Sequence, residues 1–424
     1  MSLHKNTIGW PIIAAIGVSI VVAGQFSGWN YGLAYGWLNM AVATAVMCVF
    51  YAGLLQCVSE LSATWPSAGG LGTYVAMAFG ERLGGFVSVA MAIALMACVG
   101  AVATFIVAYA ASILPIDPLL LKVIVFTAVT LLHLRGARDA LWLTLVVGLI
   151  AIATLLGFSA GVMPRFQASN LDIELGSLSL GGVIHAMPFA LWLYVGVEQA
   201  ITASEETRMP GRDISRGLVI ALLVLTLTAF SVLLAAPGAG GVEAVAQAGD
   251  PLLAALGKAN GDSAGFSMWI GLGALFGLLA SFFSITYSAS RQVYDLARGG
   301  FLPAGMAQVN TRGTPVFAVL AVAVAGFATS LIGPERVLLG VVLLFTSSYL
   351  LTICAFLRLR RTRSQEPRSY RTIGGNATAY LTLILSLTVL ACSFKLDVLI
   401  LVPIVVLFLL TSACRRWGRL SASQ

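Results

Sequence analysis

Two apolar stretches of membrane-spanning length are interrupted by residues that could bind a small polar solute. The first interruption is Gly24–Trp29 and the second is Pro188–Glu198. A helix broken at bilayer depth frees backbone N–H and C=O groups, and lipid offers these groups no hydrogen-bond partner. Such a break is stable only where it lines a cavity enclosed by protein. The two breaks therefore predict a solute site within a membrane.

The first break combines hydrogen-bonding and aromatic side chains, since the chain here contains Gly24, Gln25, Phe26, Ser27, Gly28, Trp29, Asn30 and Tyr31. An aromatic face can hold an ammonium group with roughly 0.5 to 2 kcal/mol. Glycines recur every four residues from Gly24 to Gly36, a spacing that close helix packing alone explains. Packing does not explain the polar and aromatic residues. An interfacial aromatic belt is the alternative interpretation for Trp29 and Tyr31.

The second break contains a carboxylate, Glu198, about midway along its stretch and just beyond Gly196. A charge at this depth is costly unless water, a cation or a helix N-terminus compensates it, so intramembrane carboxylates mark functional sites. Two interpretations stay open: Glu198 binds a solute, or it braces the unwound backbone through hydrogen bonds. Glu60 lies near the inner end of the second stretch, and we expect it to cap a helix or form a pair at the cytoplasmic face.

The sequence contains no Gly-x4-Gly-Lys-Ser/Thr phosphate loop and no polar segment long enough for an ATPase domain. Solute movement would therefore be driven by a gradient or by exchange.

The cysteines and histidines lack metal-ligand spacing, and we expect the cysteines to be buried thiols. His185 lies at the start of the second broken stretch. Two interpretations stay open for it: a proton sensor, or a histidine that is hydrogen-bonded at a helix end. The residues concerned are Cys48, Cys57, Cys98, Cys354, Cys392, Cys414, His4, His133 and His185.

The composition excludes a water-soluble globule, because 59% of the 424 residues are hydrophobic, 10% are charged and the mean hydropathy is +0.96. A spanning helix needs roughly 20 apolar residues, and about twelve such stretches follow one another. We expect the first to be retained, since it is too long and too interrupted for a signal peptide. The predicted spans begin near Ile8, Asn39, Gly84, Leu119, Ala140, Leu180, Ser215, Ala264, Pro315, Arg336, Thr378 and Leu396.

The positive charges are distributed unevenly between the two ends of these spans. With the N-terminus inside, 19 of the 24 Lys and Arg residues fall in cytoplasmic segments and 5 fall outside. This excess predicts an even number of helices with both termini cytoplasmic, as in a plasma (inner) membrane protein. The net charge of +7 follows from this topology and requires no nucleic-acid partner. The basic run Arg358–Arg363 could also contact anionic lipid headgroups.

Four segments resemble the amino acid-polyamine-organocation (APC) transporter superfamily, and their order and spacing cover most of the chain. They are Glu60–Gly70, Trp192–Glu198 with Glu205–Ile214, Ser290–Pro303, and Thr314-Pro315. The segment Gly24–Leu33 further resembles the ethanolamine permease branch. Gly299 departs from the aspartate that is common in the superfamily, which affects a cytoplasmic loop contact rather than the solute.

The resemblance implies an all-α integral membrane protein with the leucine-transporter type of fold. In this fold two inverted repeats of five helices each begin with a discontinuous helix, here helices 1 and 6. The implied divisions are residues 1–164 for the first repeat, residues 165–357 for the second, and residues 358–424 for the basic loop, helices 11 and 12, and the C-terminal tail.

The resemblance also implies roles for particular residues. Trp192 matches the tryptophan that closes over the solute, which makes it the expected gate, and Glu198 matches the glutamate of the Gly-x-Glu motif. The eighth span supplies weaker candidates. The full set of expected solute-binding residues is Gly24, Gln25, Phe26, Ser27, Gly28, Trp29, Trp192, Tyr194, Gly196, Glu198, Phe282, Phe283, Ser284 and Tyr287.

The expected function is secondary transport of a small amine-containing solute by alternating access, with ethanolamine first and amino acids or polyamines as the alternative. A non-transporting sensor or scaffold is the alternative from another class. No cofactor or metal is expected. Some members of the superfamily use a lysine in helix five, but residues 140–164 contain no Lys or Arg. Coupling to H+ or Na+ stays open, although hydroxyls such as Ser281 and Thr286 more often bond helix carbonyls than a cation.

Overall fold

A computed structural model describes residues 8–67, 69–113, 115–135, 140–173, 177–259 and 264–393. Regular structure in these residues is helical, and one isolated β-bridge joins Ile8 to Thr207. The α-helices are α1 (Trp10–Val21), α2 (Ala23–Phe26), α3 (Trp37–Thr64), α4 (Gly70–Phe79), α5 (Glu81–Ala111), α6 (Pro118–Leu134), α7 (Ala140–Val162), α8 (Leu180–Trp192), α9 (Pro210–Gly240), α10 (Val242–Ala246), α11 (Pro251–Lys258), α12 (Ala264–Arg298), α13 (Val316–Thr329), α14 (Pro334–Thr362) and α15 (Asn376–Ser393).

The helices agree with eleven of the predicted spans. Eight helices among the described residues are long and apolar enough to cross a membrane, and α1, α6 and α13 are shorter apolar helices at the predicted places. The span expected to begin near Leu396 lies outside the described residues, as do His4 and Cys414. The prediction of an all-α integral membrane protein is confirmed. The division into two inverted repeats stays a prediction.

Helix starts follow from local sequence. Proline, whose missing N–H costs nothing in the first turn, occupies that turn in α6, α9, α11 and α14. Asp117 caps α6 by accepting a hydrogen bond from the Leu120 N–H, and Ser179 caps α8 by accepting one from the Gly182 N–H. These caps satisfy backbone donors that helix ends leave free.

Some helices pack in the interior of the protein, and others present an exposed apolar surface. Helix α5 packs against α12, α13 and α14, and α3 packs against α8 and α9, so these helices form the core. In contrast, α9 presents Leu223 and Leu227 outward with 63% and 61% of their surface exposed. Exposed leucines on helices of spanning length are stable in lipid and costly in water.

The two broken helices cross at the centre of the core. The first consists of α1, α2 and the 3-10 helix Trp29–Tyr35, and the second consists of α8 and the 3-10 helix Val197–Glu206. Helix α1 packs against Val197–Glu206, and α8 packs against Trp29–Tyr35. Each half of one broken helix is therefore supported by the opposite half of the other. The predicted discontinuity of helices 1 and 6 is confirmed.

Candidate solute site

The first break depends on a glycine at residue 28. Gly28 has φ +100°, a conformation that side-chain-bearing residues rarely adopt, and a Cβ there would lie 2.6 Å from Trp192 Nε1. A Cβ at Gly24 would lie 2.7 Å from the Trp192 carbonyl oxygen. The glycine spacing therefore serves the close approach of Trp192 to the broken helix.

The second break follows Trp192 directly. Helix α8 ends at Trp192, and the chain turns through residues 193–196 before the 3-10 helix begins. Gly196 has φ +97° and lies against Ile20 of α1. The sequence prediction of an unwound segment before Glu198 is thus matched by the backbone.

Side chains satisfy the carbonyl groups that the first break frees. Trp29 Nε1 donates to the Gln25 carbonyl at 3.1 Å, and the Tyr109 hydroxyl donates to the Phe26 carbonyl at 2.8 Å. Trp192 Nε1 donates to the Ser27 carbonyl at 3.1 Å. Three aromatic side chains thus supply the donors that lipid cannot.

Gln25 connects the first break to the second. Its Nε2 donates to the Leu225 carbonyl at 2.8 Å and to the Leu193 carbonyl at 3.4 Å. Gln25 is fully buried, and its Oε1 has no hydrogen-bond partner among the described residues. A buried acceptor without a donor is unfavourable, so this oxygen is available to a ligand.

A small cavity lies between the two breaks. Its volume is about 20 Å³, enough for about one water molecule. Backbone at Gly24 and Gly196 contributes to its wall, and the indole of Trp192 closes it. Most other lining residues are aliphatic; the wall consists of Ile20, Val21, Ala23, Gly24, Leu95, Cys98, Val102, Trp192, Val195, Gly196, Ile285 and Phe345.

Glu198 lies near this cavity and is fully buried. Its Oε1 accepts a hydrogen bond from Gln199 Nε2 at 3.0 Å, whereas Oε2 has no partner in the described part of the chain. The hydroxyls of Tyr51 and Tyr349 are 3.3 Å apart and lie within electrostatic reach of the carboxylate. One oxygen thus braces local structure, and the carboxylate also interacts with the Tyr349 hydroxyl.

Tyr194, a further predicted site residue, packs with its ring centroid 5.5 Å from that of Tyr51. It lies in the turn of the second break but is not part of the cavity wall. Phe26 is buried beneath the first break with its ring edge-on to Tyr109 at 6.3 Å. Both residues support the site, and a direct contact with solute stays a prediction for each.

The eighth-span candidates point in several directions. Phe282 packs edge-on against Phe126 at 5.0 Å, Phe283 stacks on His133 at 4.0 Å, and Tyr287 lies under Arg291 at 4.2 Å. None of these three lines the cavity, and neither does Ser284. Sequence reasoning missed Ile285, which does line it.

Ser281 and Thr286 use their hydroxyls within the protein. Ser281 Oγ donates to the Ser19 carbonyl at 2.7 Å and accepts from the Ala23 N–H at 3.2 Å, which ties α12 to the first broken helix. Thr286 Oγ1 donates to the Phe282 carbonyl one turn earlier. The sequence analysis favoured such hydrogen bonds to helix carbonyls over cation binding by these hydroxyls. Among the described residues, no group of three or more His, Cys, Asp or Glu side chains could hold a metal ion.

Asn30 joins the first break to the end of α10 and the turn after it, and we call these contacts the Asn30 clamp. Asn30 Nδ2 donates to the carbonyls of Val245, Ala246 and Ala248 at 2.9, 3.2 and 2.9 Å, and its Oδ1 accepts from the Gly28 N–H. The nearby Asp250 begins α11; partial burial raises the pKa of its carboxyl, and the hydrogen bond from the Ser112 hydroxyl opposes that shift.

A second set of backbone and serine contacts holds the last part of the second broken helix. Ile8 N–H donates to the Glu206 carbonyl at 3.0 Å, and Arg208 N–H donates to the Ile8 carbonyl at 2.9 Å. Ser204 Oγ accepts from the Ser67 N–H at 2.9 Å and donates to the Ser67 carbonyl at 3.2 Å. Two separate sets of contacts therefore hold the broken helices to the rest of the protein in this conformation.

Glu60 anchors the loop that joins α14 to α15. Its carboxylate pairs with Arg360 Nε at 3.1 Å and Arg368 Nη1 at 2.6 Å, and it accepts from the Thr372 N–H at 2.7 Å. The expectation that Glu60 forms a pair is confirmed, and the location of that pair at the cytoplasmic face stays a prediction. The ring of His185 stacks on Tyr35, and its Nδ1 lies 2.6 Å from the Gly181 carbonyl, as expected for a hydrogen-bonded helix-end histidine.

Two breaks around one cavity inside a helical membrane protein describe a transporter site, and comparison with known proteins identifies the type. Residues 8–412 match the profile of the family described as "Amino acid permease". The chain belongs to the amino acid permease family. As a permease, it is a transporter of the APC superfamily, which confirms the broader resemblance; the narrower ethanolamine branch stays a prediction.

Similar curated proteins are transporters. The permease is 27% identical over 325 residues to "Uncharacterized transporter R00093" of Rhizobium meliloti (strain 1021), covering 72% of this chain and 68% of that protein. It is 23% identical over 340 residues to "Branched-chain amino acid permease BcaP" of Lactococcus lactis subsp. cremoris (strain MG1363), covering 72% and 70%. It is 24% identical over 257 residues to BcaP of Bacillus subtilis (strain 168), covering 59% and 54%.

Proposed function

We propose that the permease transports a small apolar α-amino acid by alternating access across the plasma membrane. The observation that carries this proposal is the aliphatic wall of the cavity between the two breaks, supplied by residues such as Leu95, Val102 and Ile285. An aliphatic wall favours an apolar side chain because it removes that side chain from water. The backbone at the breaks would hold the polar end of the same solute.

The breaks offer both kinds of backbone partner to a zwitterion. The carbonyls of Ser27 and Leu193 are hydrogen-bonded by side chains in the closed conformation, and they are suitable acceptors for an ammonium group. Backbone N–H groups at helix starts favour a carboxylate. Two of the similar proteins carry the name branched-chain amino acid permease, which supports an aliphatic side chain.

Ethanolamine is the second candidate, and the buried carboxylate of Glu198 favours it. An ammonium group gains from a buried carboxylate, and ethanolamine has no carboxylate of its own that Glu198 would repel. The resemblance of Gly24–Leu33 to the ethanolamine permease branch points the same way. For either solute, transport is proposed to be coupled to an ion, with H+ and Na+ as the two alternatives.

The orientation is also proposed. The arginine-rich segment Arg358–Arg371 is placed at the cytoplasmic face, with both termini on that side and the Asn30 clamp at the external end. The support is the 19-to-5 distribution of Lys and Arg, since cytoplasmic loops are enriched in these residues.

Binding and uptake by the purified permease test the choice of solute. We expect labelled leucine or valine to be taken up by proteoliposomes and to compete for binding more strongly than ethanolamine, glycine or spermidine. Stronger binding of ethanolamine than of leucine would select the second candidate. Binding without uptake of any of these solutes would contradict transport and favour the sensor interpretation.

Glu198→Gln distinguishes the two candidates independently. If ethanolamine is the solute, the variant should weaken its binding by about 1–3 kcal/mol, the range for a hydrogen bond to a charged partner. If leucine is the solute, we expect a smaller change, because backbone groups hold its ammonium. Isothermal titration of both proteins with both solutes measures the difference.

A further inference from the structure

The two breaks hold each other through a reciprocal pair of hydrogen bonds, which we call the latch. The Gln25 amide of the first break donates to the Leu193 carbonyl of the second, and the Trp192 indole of the second donates to the Ser27 carbonyl of the first. Gln25 is fully buried and Trp192 is 3% exposed. The latch thus lies in the interior, directly at the solute cavity.

The closed conformation that contains the latch excludes solute by its dimensions. A cavity of about 20 Å³ admits about one water molecule and is too small for an amino acid or for ethanolamine. The Asn30 clamp and the contacts of Ser67 with Ser204 are formed in the same conformation. At this cavity volume the conformation accommodates no solute between the breaks and corresponds to the empty carrier.

The latch removes the main cost of such an empty closed conformation. Buried carbonyl groups without donors are unfavourable, and a carrier whose break carbonyls are satisfied only by solute is unstable when closed and empty. Here the Trp192 indole and the Gln25 amide supply donors to the Ser27 and Leu193 carbonyls from within the protein. A carrier must pass through a closed conformation to return empty, so the stability of this conformation determines the rate of return.

We propose that the latch allows the empty permease to return across the membrane, and that the permease therefore performs net transport instead of obligatory exchange. The proposal rests on the proposed function for the choice of solute. The existence of the latch does not depend on that choice, because its effect on the empty protein is measurable without any solute.

The first test measures opening of the empty cavity through Cys98, which lines it. In a chain that retains Cys98 and lacks the other cysteines, we expect slow alkylation by a small thiol reagent. Gln25→Met removes one latch donor at similar volume, and Trp192→Phe removes the other together with part of the indole that lines the cavity. Each should raise the alkylation rate about tenfold, the factor that corresponds to about 1.4 kcal/mol. Unchanged rates in both variants would overturn the latch. A rise in Trp192→Phe alone would reflect the smaller side chain and contradict the latch.

A matched control is available at Trp37. Its Nε1 donates to the Leu233 carbonyl at 2.7 Å, and Trp37 is not part of the cavity wall. Trp37→Phe therefore removes the same type of bond elsewhere and should leave Cys98 alkylation at the parent rate. An equal rise in this control would show general loosening and contradict a specific latch.

The second test compares two modes of transport in proteoliposomes. We expect wild-type uptake of labelled leucine, or of ethanolamine, into vesicles that contain no solute as well as into preloaded vesicles. Latch variants should lose uptake into empty vesicles several-fold more than exchange. Wild-type uptake confined to preloaded vesicles would overturn the proposal. Failure of every solute in both modes, with faster Cys98 alkylation in the variants, would contradict the proposed function and support the latch.

Discussion

A single side chain, Trp192, determines the conformation of several residues around it. Its indole donates to the Ser27 carbonyl, closes the cavity, and comes so near Gly24 and Gly28 that neither position has room for a Cβ. The bulk of one tryptophan thus requires two glycines in the neighbouring helix. The small residues and the large residue form one unit.

We predict that Gly28→Ala destabilises the permease by about 1–3 kcal/mol and abolishes transport. The alanine would carry positive φ and place its Cβ 2.6 Å from Trp192 Nε1, which forces the indole away from the break. Thermal unfolding in detergent and leucine uptake measure the two effects.

Gly181→Ala is the matched control for this prediction. A Cβ at Gly181 meets no atom within 4 Å, and alanine is favourable in the first turn of α8. We expect unchanged stability and uptake. A Gly28→Ala protein as stable as the control would show that Trp192 can move without cost.

Among the elements, the loop from α14 to α15 is fixed by one buried carboxylate. Glu60 of α3 pairs with Arg360 and Arg368, and Trp65 Nε1 donates to Glu366 of the loop at 2.6 Å. Glu60 has no exposed surface, whereas the Arg360 side chain keeps 19% of its own. The basic loop is thereby held against the C-terminal end of α3.

We expect Glu60→Gln to lower the free energy of unfolding by about 3 kcal/mol. Removal of one partner from a buried ion pair costs about 3–5 kcal/mol, and the exposure of Arg360 favours the lower figure. Glu366→Gln is the control, because its pair with Arg363 is 40% and 41% exposed and should contribute at most about 1 kcal/mol. Equal melting temperatures for the two variants would contradict the anchoring role of Glu60.

The sequence located the breaks but not every side chain around them. Gly24, Gly28 and Trp192 were predictable because glycine, polar and aromatic residues interrupt an apolar run. Leu95, Cys98 and Val102 were not, although their spacing places them on one face of α5. Helix α5 is apolar on all sides, so hydrophobic periodicity gives no information about which face meets the cavity.

The lack of a distinct polar face also explains why the cavity-lining residue of the eighth span was not predicted. Consecutive residues on a helix are separated by about 100° around its axis, so Phe283 lies nearly opposite Ile285. Phe282, three residues before Ile285, lies within about 60° of it but packs against Phe126 instead of the cavity. The short helices α4, α10 and α11 were also missed, because segments of this length lack the apolar run of a spanning helix.

At the scale of the whole molecule, the charge distribution predicts the orientation in the membrane. In a cysteine-free background, Arg208→Cys and Arg361→Cys should react only with reagents that enter the cytoplasm, and Lys258→Cys should react from outside. All three positions are exposed, so a lack of reaction is not a matter of burial. Labelling of Arg361→Cys by an impermeant reagent in intact cells would reverse the proposed orientation.

The crossed support of the two broken helices has a consequence for the electrical seal of the membrane. Helix α8 rests on Trp29–Tyr35 toward one surface, and α1 rests on Val197–Glu206 toward the other. Each end thus has its own pair of half-helices, and the two pairs are joined through Gly28 and Gly196, which have positive φ. If the pairs open one at a time, the bilayer keeps one barrier to ions, and a cell can carry solute through this protein without discharging its membrane potential.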